Sequence, residues 1–172
     1  MFFLVTTGRA VVEDDLTGAD YEAVFAFLYD LSQRASFDIK TTEAQHYRRY
    51  VAQRRKAGGV SGSPAPNPIG RQAGINDGKG FVFISHTGDI YPSGFLPFLA
   101  GNIRRDSPLE VYRHSPLFLE LRNSDRLKGK CGECEFRNLC GGSRSRAFAL
   151  TGDYLAEEPR CVYQPHSATG AA

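Results

Sequence analysis

The sequence lacks the features that would mark a membrane, secreted or nucleic-acid-binding protein. No apolar run approaches the roughly 18 residues that are needed to cross a bilayer. The opening residues MFFLV lack both the charged region and the length of a signal peptide, so we expect a cytoplasmic protein. The formal charge of +2, from 21 Lys+Arg against 19 Asp+Glu, is too small to make nucleic acid or an anionic membrane the expected partner.

What is present suits an ordinary globular chain. Of the 172 residues, 41% are hydrophobic and 23% are charged, which is typical of one domain or two small ones. Cysteine is scarce, and all 4 cysteines follow residue 130. In a reducing compartment, such a group favours thiolates that hold a metal over disulfides.

The first 57 residues alternate between apolar runs and helical patterns. Phe2–Thr6 is typical of a buried parallel strand, and Thr17–Asp20 can cap a helix whose apolar residues share one face. Phe37–Thr42 alternates like a short strand, and Ala44–Ala57 predicts a basic helix. This βαβα order predicts part of a larger α/β sheet or barrel over residues 1–57.

Residues 58–80 contain 7 glycines and 3 prolines without an apolar period, which predicts a linker and a domain boundary. A hairpin is expected over residues 81–92, with Gly88 in its turn, and short helices are expected to start near Ser107 and Ser115. We assign residues 81–164 to a second, small α+β domain. The polar tail at 165–172 is expected to be disordered.

The four cysteines have the spacing of metal ligands. Cys131 and Cys134 lie in CGEC, where one tight turn aims two sulfurs at the same metal. Cys140, which precedes two glycines, and Cys161 complete a set of four thiolates, enough for one closed site. The spacing alone suits a zinc knuckle as well as an iron–sulfur cluster, so both metals stay open on these grounds.

The sequence resembles a known family at these motifs. CGECEFRNLCGG with Cys161, and GDIYPSGFLP upstream, are similar to the SPASM/Twitch iron–sulfur domain of radical S-adenosylmethionine (SAM) enzymes over residues 81–164. FFLVTTGRA and FDIKTTEAQHYRR resemble the last βα units of the radical SAM partial barrel, closest to the heme-biosynthesis branch. The resemblance implies one auxiliary 4Fe–4S cluster, held by Cys131, Cys134, Cys140 and Cys161, that relays electrons.

The sequence also departs from this family. Ser93, and Ser143 or Arg144, stand where the family has cysteines, which removes ligands of a further auxiliary cluster. No C-x3-C-x2-C motif occurs, so no radical generation is expected from this chain alone. We therefore expect a C-terminal fragment, a truncated reading frame or one chain of a split enzyme. Its expected partners are an N-terminal radical SAM half or a reductase, and no substrate is implied.

Other polar residues are weaker candidates. His46, His86 and His114 fit surface or capped histidines better than ligands. Arg9 and Lys40–Glu43 follow predicted parallel strands, where a barrel places its active-site mouth, although ordinary loop residues fit equally well.

The arginines favour structural roles. The basic residues of the second helix favour a solvated face over a phosphate or nucleic-acid site. Arg144 and Arg146 are likewise expected on a solvated helix face, although Arg137 or Arg144 could tune a nearby cluster. The rival to the iron–sulfur hypothesis is a zinc-stabilised binding module that makes its contacts through the basic helix.

Overall fold

A computed structural model of the chain describes residues 1–58 and 74–166. Its helices are α1 (Gly18–Ser32), α2 (His46–Ala57), α3 (Pro108–His114), α4 (Pro116–Arg122), α5 (Gly129–Glu133) and α6 (Arg144–Thr151). Its strands are β1 (Phe83–Ile84), β2 (Asp89–Tyr91) and β3 (Gly101–Asn102), which form an antiparallel sheet in the order β1-β2-β3. In these two ranges, no helix is long and apolar enough to cross a membrane.

The two predicted N-terminal strands meet in parallel, but only at one bridge. Phe2 pairs with Thr42, the Phe3 N–H donates to the Thr42 carbonyl at 3.0 Å, and the Thr42 N–H donates to the Met1 carbonyl at 2.9 Å. Neither segment continues as a regular strand, and within the described ranges no further parallel strand lies beside the pair. The partial barrel therefore remains a prediction.

Helix α1 confirms the capping signal in the sequence. The Thr17 hydroxyl accepts from the Asp20 N–H at 3.2 Å, and the Thr17 N–H donates to the Asp20 carboxylate at 3.1 Å. This capping box gives hydrogen-bond partners to backbone N–H groups that would lack them at an uncapped helix start. The apolar face of α1 then packs against the first segment and α2, in a core formed by Phe3, Tyr21, Phe25, Leu28, Ala44 and Tyr47.

The hairpin and both short helices are also confirmed. Strand β1 pairs with β2, and Gly88 in the connecting turn has φ +88°. Ser107 caps α3 through the Glu110 N–H, and α4 begins directly after Ser115 with Pro116 in its first turn. These elements follow from local signals at their ends.

The segment before the hairpin contacts α6. Residues 59–73 of the predicted linker lie outside the described residues. Asn76 and Asp77 are buried, and the Asn76 amide donates to the Gly142 carbonyl at 2.6 Å. The Ser145 N–H donates to the Asp77 carboxylate at 2.7 Å. The domain boundaries stay a prediction, as does the disordered tail, of which 167–172 also lie outside the described residues.

Candidate metal centre

The structure brings all four predicted ligands to one place. Cys131 lies in α5, Cys134 follows its end, Cys140 ends the next turn, and Cys161 comes from the C-terminal segment. All four are free thiols and line one cavity that is partly open to solvent. We call the space between Cys131, Cys134, Cys140 and Cys161 the cysteine cavity.

Backbone N–H groups donate hydrogen bonds to the cysteine sulfurs. The Glu158 N–H donates to Cys131 at 3.3 Å, the Phe136 N–H to Cys134 at 3.4 Å, and the Gly142 N–H to Cys140 at 3.4 Å. Such donors stabilise negative charge on sulfur, and in iron–sulfur sites they tune the reduction potential.

Burial disfavours the thiolate form of these cysteines. It raises the pKa of Cys140 to about 12 and shifts the pKa of Cys131, Cys134 and Cys161 in the same direction. Metal ligands must be deprotonated, so a bound metal cation has to compensate the free-energy cost of forming buried thiolates. Its binding also releases the thiol protons.

Basic side chains surround the cysteine cavity. Arg49, Lys130 and Arg137 line it. Arg49 pairs with Glu22 and lies over the Tyr163 ring, and the Lys130 ammonium donates to the Cys161 carbonyl at 2.6 Å. The prediction of a solvated face for α2 is therefore wrong at Arg49, because tertiary contacts with α1 and the C-terminal segment bury this residue. Lys130 also pairs with Glu157 at 3.7 Å, and Arg137 pairs with Asp125 at 3.1 Å.

Two further residues of the cysteine cavity, His46 and Glu158, were not predicted from the sequence. His46 is fully buried and lines the cysteine cavity, rather than lying at the surface. Burial lowers its pKa to about 4, so the ring is neutral at pH 7. Glu158 also lines the cavity and was not singled out. His86 and His114, by contrast, are exposed as expected.

The expectation of a solvated face for Arg144 and Arg146 is wrong. Arg144 donates to the carbonyls of Tyr154 at 2.8 Å and Ala156 at 2.6 Å. Arg146 is fully buried and contacts Glu158 at 3.4 Å and Asp15 at 3.7 Å. Burial opposes ionisation of Glu158, but the Arg146 guanidinium holds the Glu158 pKa below its usual value.

The serines at the predicted missing-ligand positions are buried among carboxylates. The Ser143 hydroxyl donates to Glu43 at 2.5 Å, and the hydroxyls of Ser93 and Ser145 lie 3.4 Å apart. Glu43, which has φ +58°, comes from the predicted barrel mouth. Burial, followed by the nearby Asp77 carboxylate, raises the pKa of Glu43 to about 8.

This shift predicts a pH effect on stability. Because the folded-state pKa of Glu43 exceeds its unfolded value, the neutral acid stabilises the fold below about pH 4.5, and this contribution is lost as the pH rises through about 8. Glu43→Gln keeps a neutral acceptor for Ser143, so its free energy of unfolding should fall less across this range. Urea unfolding at each pH measures the difference. Glu110→Gln, at an exposed site, should follow the wild type, and an identical Glu43→Gln profile would contradict the assignment.

Gly142 forms a tight wall of the site. It has φ +64°, and a Cβ there would lie 2.8 Å from the Glu158 side chain and 2.6 Å from Arg144. We expect Gly142→Ala to destabilise the chain by about 2–5 kcal/mol, from left-handed strain and overpacking together. Gly152→Ala is the matched control, because Gly152 has φ +77° with nothing near its Cβ position. Its cost should be about 1–2 kcal/mol. Equal unfolding midpoints for the two variants would rule out the crowding at Gly142.

The donor set fits a thiolate-bound group. In residues 1–58 and 74–166, no three His, Cys, Asp or Glu side chains are grouped so that they could hold one metal ion. The cysteine cavity nevertheless combines four thiols, backbone N–H donors to their sulfurs, and the buried His46 imidazole, which has no hydrogen-bond partner among the residues that the structure describes. These features suit a larger, negatively charged iron–sulfur group.

Comparisons with known proteins find relatives along nearly the whole chain. No family model matches. The chain is 42% identical over 166 residues to the AdoMet-dependent heme synthase of Methanosarcina barkeri, covering 96% of this chain and 48% of that protein. It is 42% identical over 174 residues to the enzyme of the same name from Nitratidesulfovibrio vulgaris, covering 98% of this chain and 47% of that protein. A pre-heme d1 synthase from Dinoroseobacter shibae is 37% identical over 103 residues, or 58% of this chain and 25% of that protein.

The chain belongs to the family of radical SAM/SPASM-type enzymes, as the cysteine motifs predict. Two of the relatives named above are heme synthases and the third is a pre-heme d1 synthase. The chain spans about half the length of the two AdoMet-dependent heme synthases that it matches.

Proposed function

We propose that the chain binds one auxiliary 4Fe–4S cluster through Cys131, Cys134, Cys140 and Cys161 and that this cluster relays electrons. The observation that carries the proposal is the convergence of the four thiols on one cavity. Their hydrogen-bond donors and the surrounding cations support it. When bound, a cluster held by four protein thiolates supplies one-electron transfer without an open position for substrate.

The chain's own residues hold and shield such a group. Gly142 brings its N–H to Cys140, and Glu158 brings its N–H to Cys131. The Phe136 and Tyr163 rings pack edge to face at 5.7 Å beside the site, and apolar surface of this kind lowers solvent access. Lys130 and Arg137 offset the negative charge that four thiolates bring.

We infer that the reaction served by this chain is AdoMet-dependent heme formation. The support is 42% identity over nearly all of the chain to proteins with that name. Because these 172 residues hold no C-x3-C-x2-C motif, reductive cleavage of S-adenosylmethionine has to use residues outside them.

Metal analysis after anaerobic reconstitution tests the cluster. About four irons and four sulfides per chain, with visible absorbance that bleaches on reduction, are expected. The second candidate, a zinc-stabilised module, is favoured by the spacing of the four cysteines in the sequence, which also suits a zinc knuckle. It predicts about one tightly bound zinc and no such absorbance, and that result would overturn the electron relay.

A separate prediction concerns radical chemistry. The cluster-loaded chain, incubated with S-adenosylmethionine and dithionite, should form no deoxyadenosine, because a cluster with four protein ligands has no position for S-adenosylmethionine. Liquid chromatography with mass detection measures the product, with a radical SAM enzyme as the positive control. Formation of deoxyadenosine in proportion to the chain would contradict the ligand assignment.

A further inference from the structure

His46 is a buried polar residue without a partner beside the cysteine cavity. It lies at the start of α2, is fully buried, and has no hydrogen-bond partner for Nδ1 or Nε2 among the described residues. A neutral imidazole carries one donor and one acceptor nitrogen. A buried donor without a hydrogen-bond partner is unfavourable, so native proteins rarely leave one unsatisfied without a reason.

Aromatic side chains and an already paired carboxylate surround the His46 ring, rather than free hydrogen-bond partners for its nitrogens. Tyr21 lies 5.0 Å from the His46 ring centroid in a tilted arrangement, and Phe25 lies 4.8 Å away in an edge-to-face arrangement. These aromatic contacts from α1 fix the ring in place. The buried carboxylate of Glu158, which lines the same cavity, instead accepts from the Ser143 N–H, the Arg160 N–H and the Arg146 guanidinium.

The ring lines the same cavity as the four cysteines. We propose that His46 donates a ring N–H hydrogen bond to a sulfur of the bound cluster and thereby raises its reduction potential. The inference rests on the proposed function, since it needs a cluster in the cysteine cavity. Cluster reduction adds negative charge to the sulfurs, so a fixed donor stabilises the reduced form more than the oxidised form.

Redox titration of the reconstituted 172-residue chain tests the proposal. His46→Phe keeps an aromatic ring between Tyr21 and Phe25 but removes the donor. We expect its ratio of reduced to oxidised cluster at a fixed potential to fall by about tenfold, which equals about 59 mV for a one-electron couple. His114→Phe, at an exposed position on α3, is the matched control and should leave the ratio unchanged.

Two amide variants of His46 separate the effect of the lost hydrogen bond from the effect of changed side-chain packing. His46→Asn and His46→Gln place an amide N–H near the positions of Nδ1 and Nε2, and one of them should restore the wild-type ratio. An unchanged ratio in His46→Phe would overturn the proposal, as would failure of both amide variants to restore it.

A measurement without a substitution covers the case in which His46→Phe does not fold. In wild-type chain labelled with ¹⁵N-histidine, pulsed electron paramagnetic resonance of the reduced cluster should detect coupling to a histidine nitrogen, and the coupling should persist in His114→Phe. A loaded cluster with no such coupling would contradict the role of His46 and leave the cluster assignment intact. A wild-type chain that takes up no iron would instead contradict the proposed function.

Discussion

Replacement of Cys140 by alanine is expected to lower the iron content of the reconstituted chain from about four per chain to less than one. Burial disfavours the Cys140 thiolate and raises the pKa of this thiol to about 12. Cys140 ends the turn before Gly142, whose N–H donates to its sulfur. Without Cys140, one iron of the cluster has no protein ligand. Iron and sulfide analysis with the absorption spectrum measures the loss.

Glu133→Ala is the matched control for this change. Glu133 lies between Cys131 and Cys134 but is exposed, so its removal should leave iron and sulfide at wild-type content. Circular dichroism of both variants shows whether the fold is kept. A folded Cys140→Ala chain that still holds about four irons would show that Cys140 is not a ligand.

The largest effect on stability is expected from Arg146→Ala. Arg146 is fully buried between the carboxylates of Asp15 and Glu158, and its guanidinium donates to the Leu4 carbonyl at 2.7 Å. Removing it leaves buried charge without its partner, which typically costs about 3–5 kcal/mol. Urea unfolding of the variant and the wild type in the same metal state measures the loss.

Arg105→Ala provides the comparison, because Arg105 is exposed and pairs with Asp106 at 3.4 Å. Exposed ion pairs contribute about 0–1 kcal/mol, so this variant should unfold close to the wild type. If both variants lost the same small amount of stability, Arg146 would not compensate the buried charge of Asp15 and Glu158.

Local signals explain which elements could be predicted from the sequence. The box at Thr17 and Asp20, the turn at Gly88, and the caps of α3 and α4 depend on residues within a few positions of each other. The cysteine spacing likewise encodes a local turn, so Cys131 and Cys134 were expected to lie together. The resemblance then identified the family correctly.

The rest depends on contacts between distant parts of the chain. Arg146 is buried because it reaches Leu4 and Asp15, and Ser143 is buried against Glu43. Nothing in the local pattern RSRAFAL distinguishes such arginines from surface ones. The role of His46 was missed for the same reason, since its place is set by Tyr21, Phe25 and a cavity formed more than 80 residues later. Its position in a predicted helix favoured a surface or capped histidine over a ligand.

The electron paramagnetic resonance spectrum of the dithionite-reduced, reconstituted chain shows whether these four cysteines hold a redox-active cluster. We expect the signal of one reduced 4Fe–4S cluster per chain, lost in Cys140→Ala and retained in Glu133→Ala. A chain that binds zinc, or that holds iron but gives no such signal when reduced, would contradict the proposed electron relay.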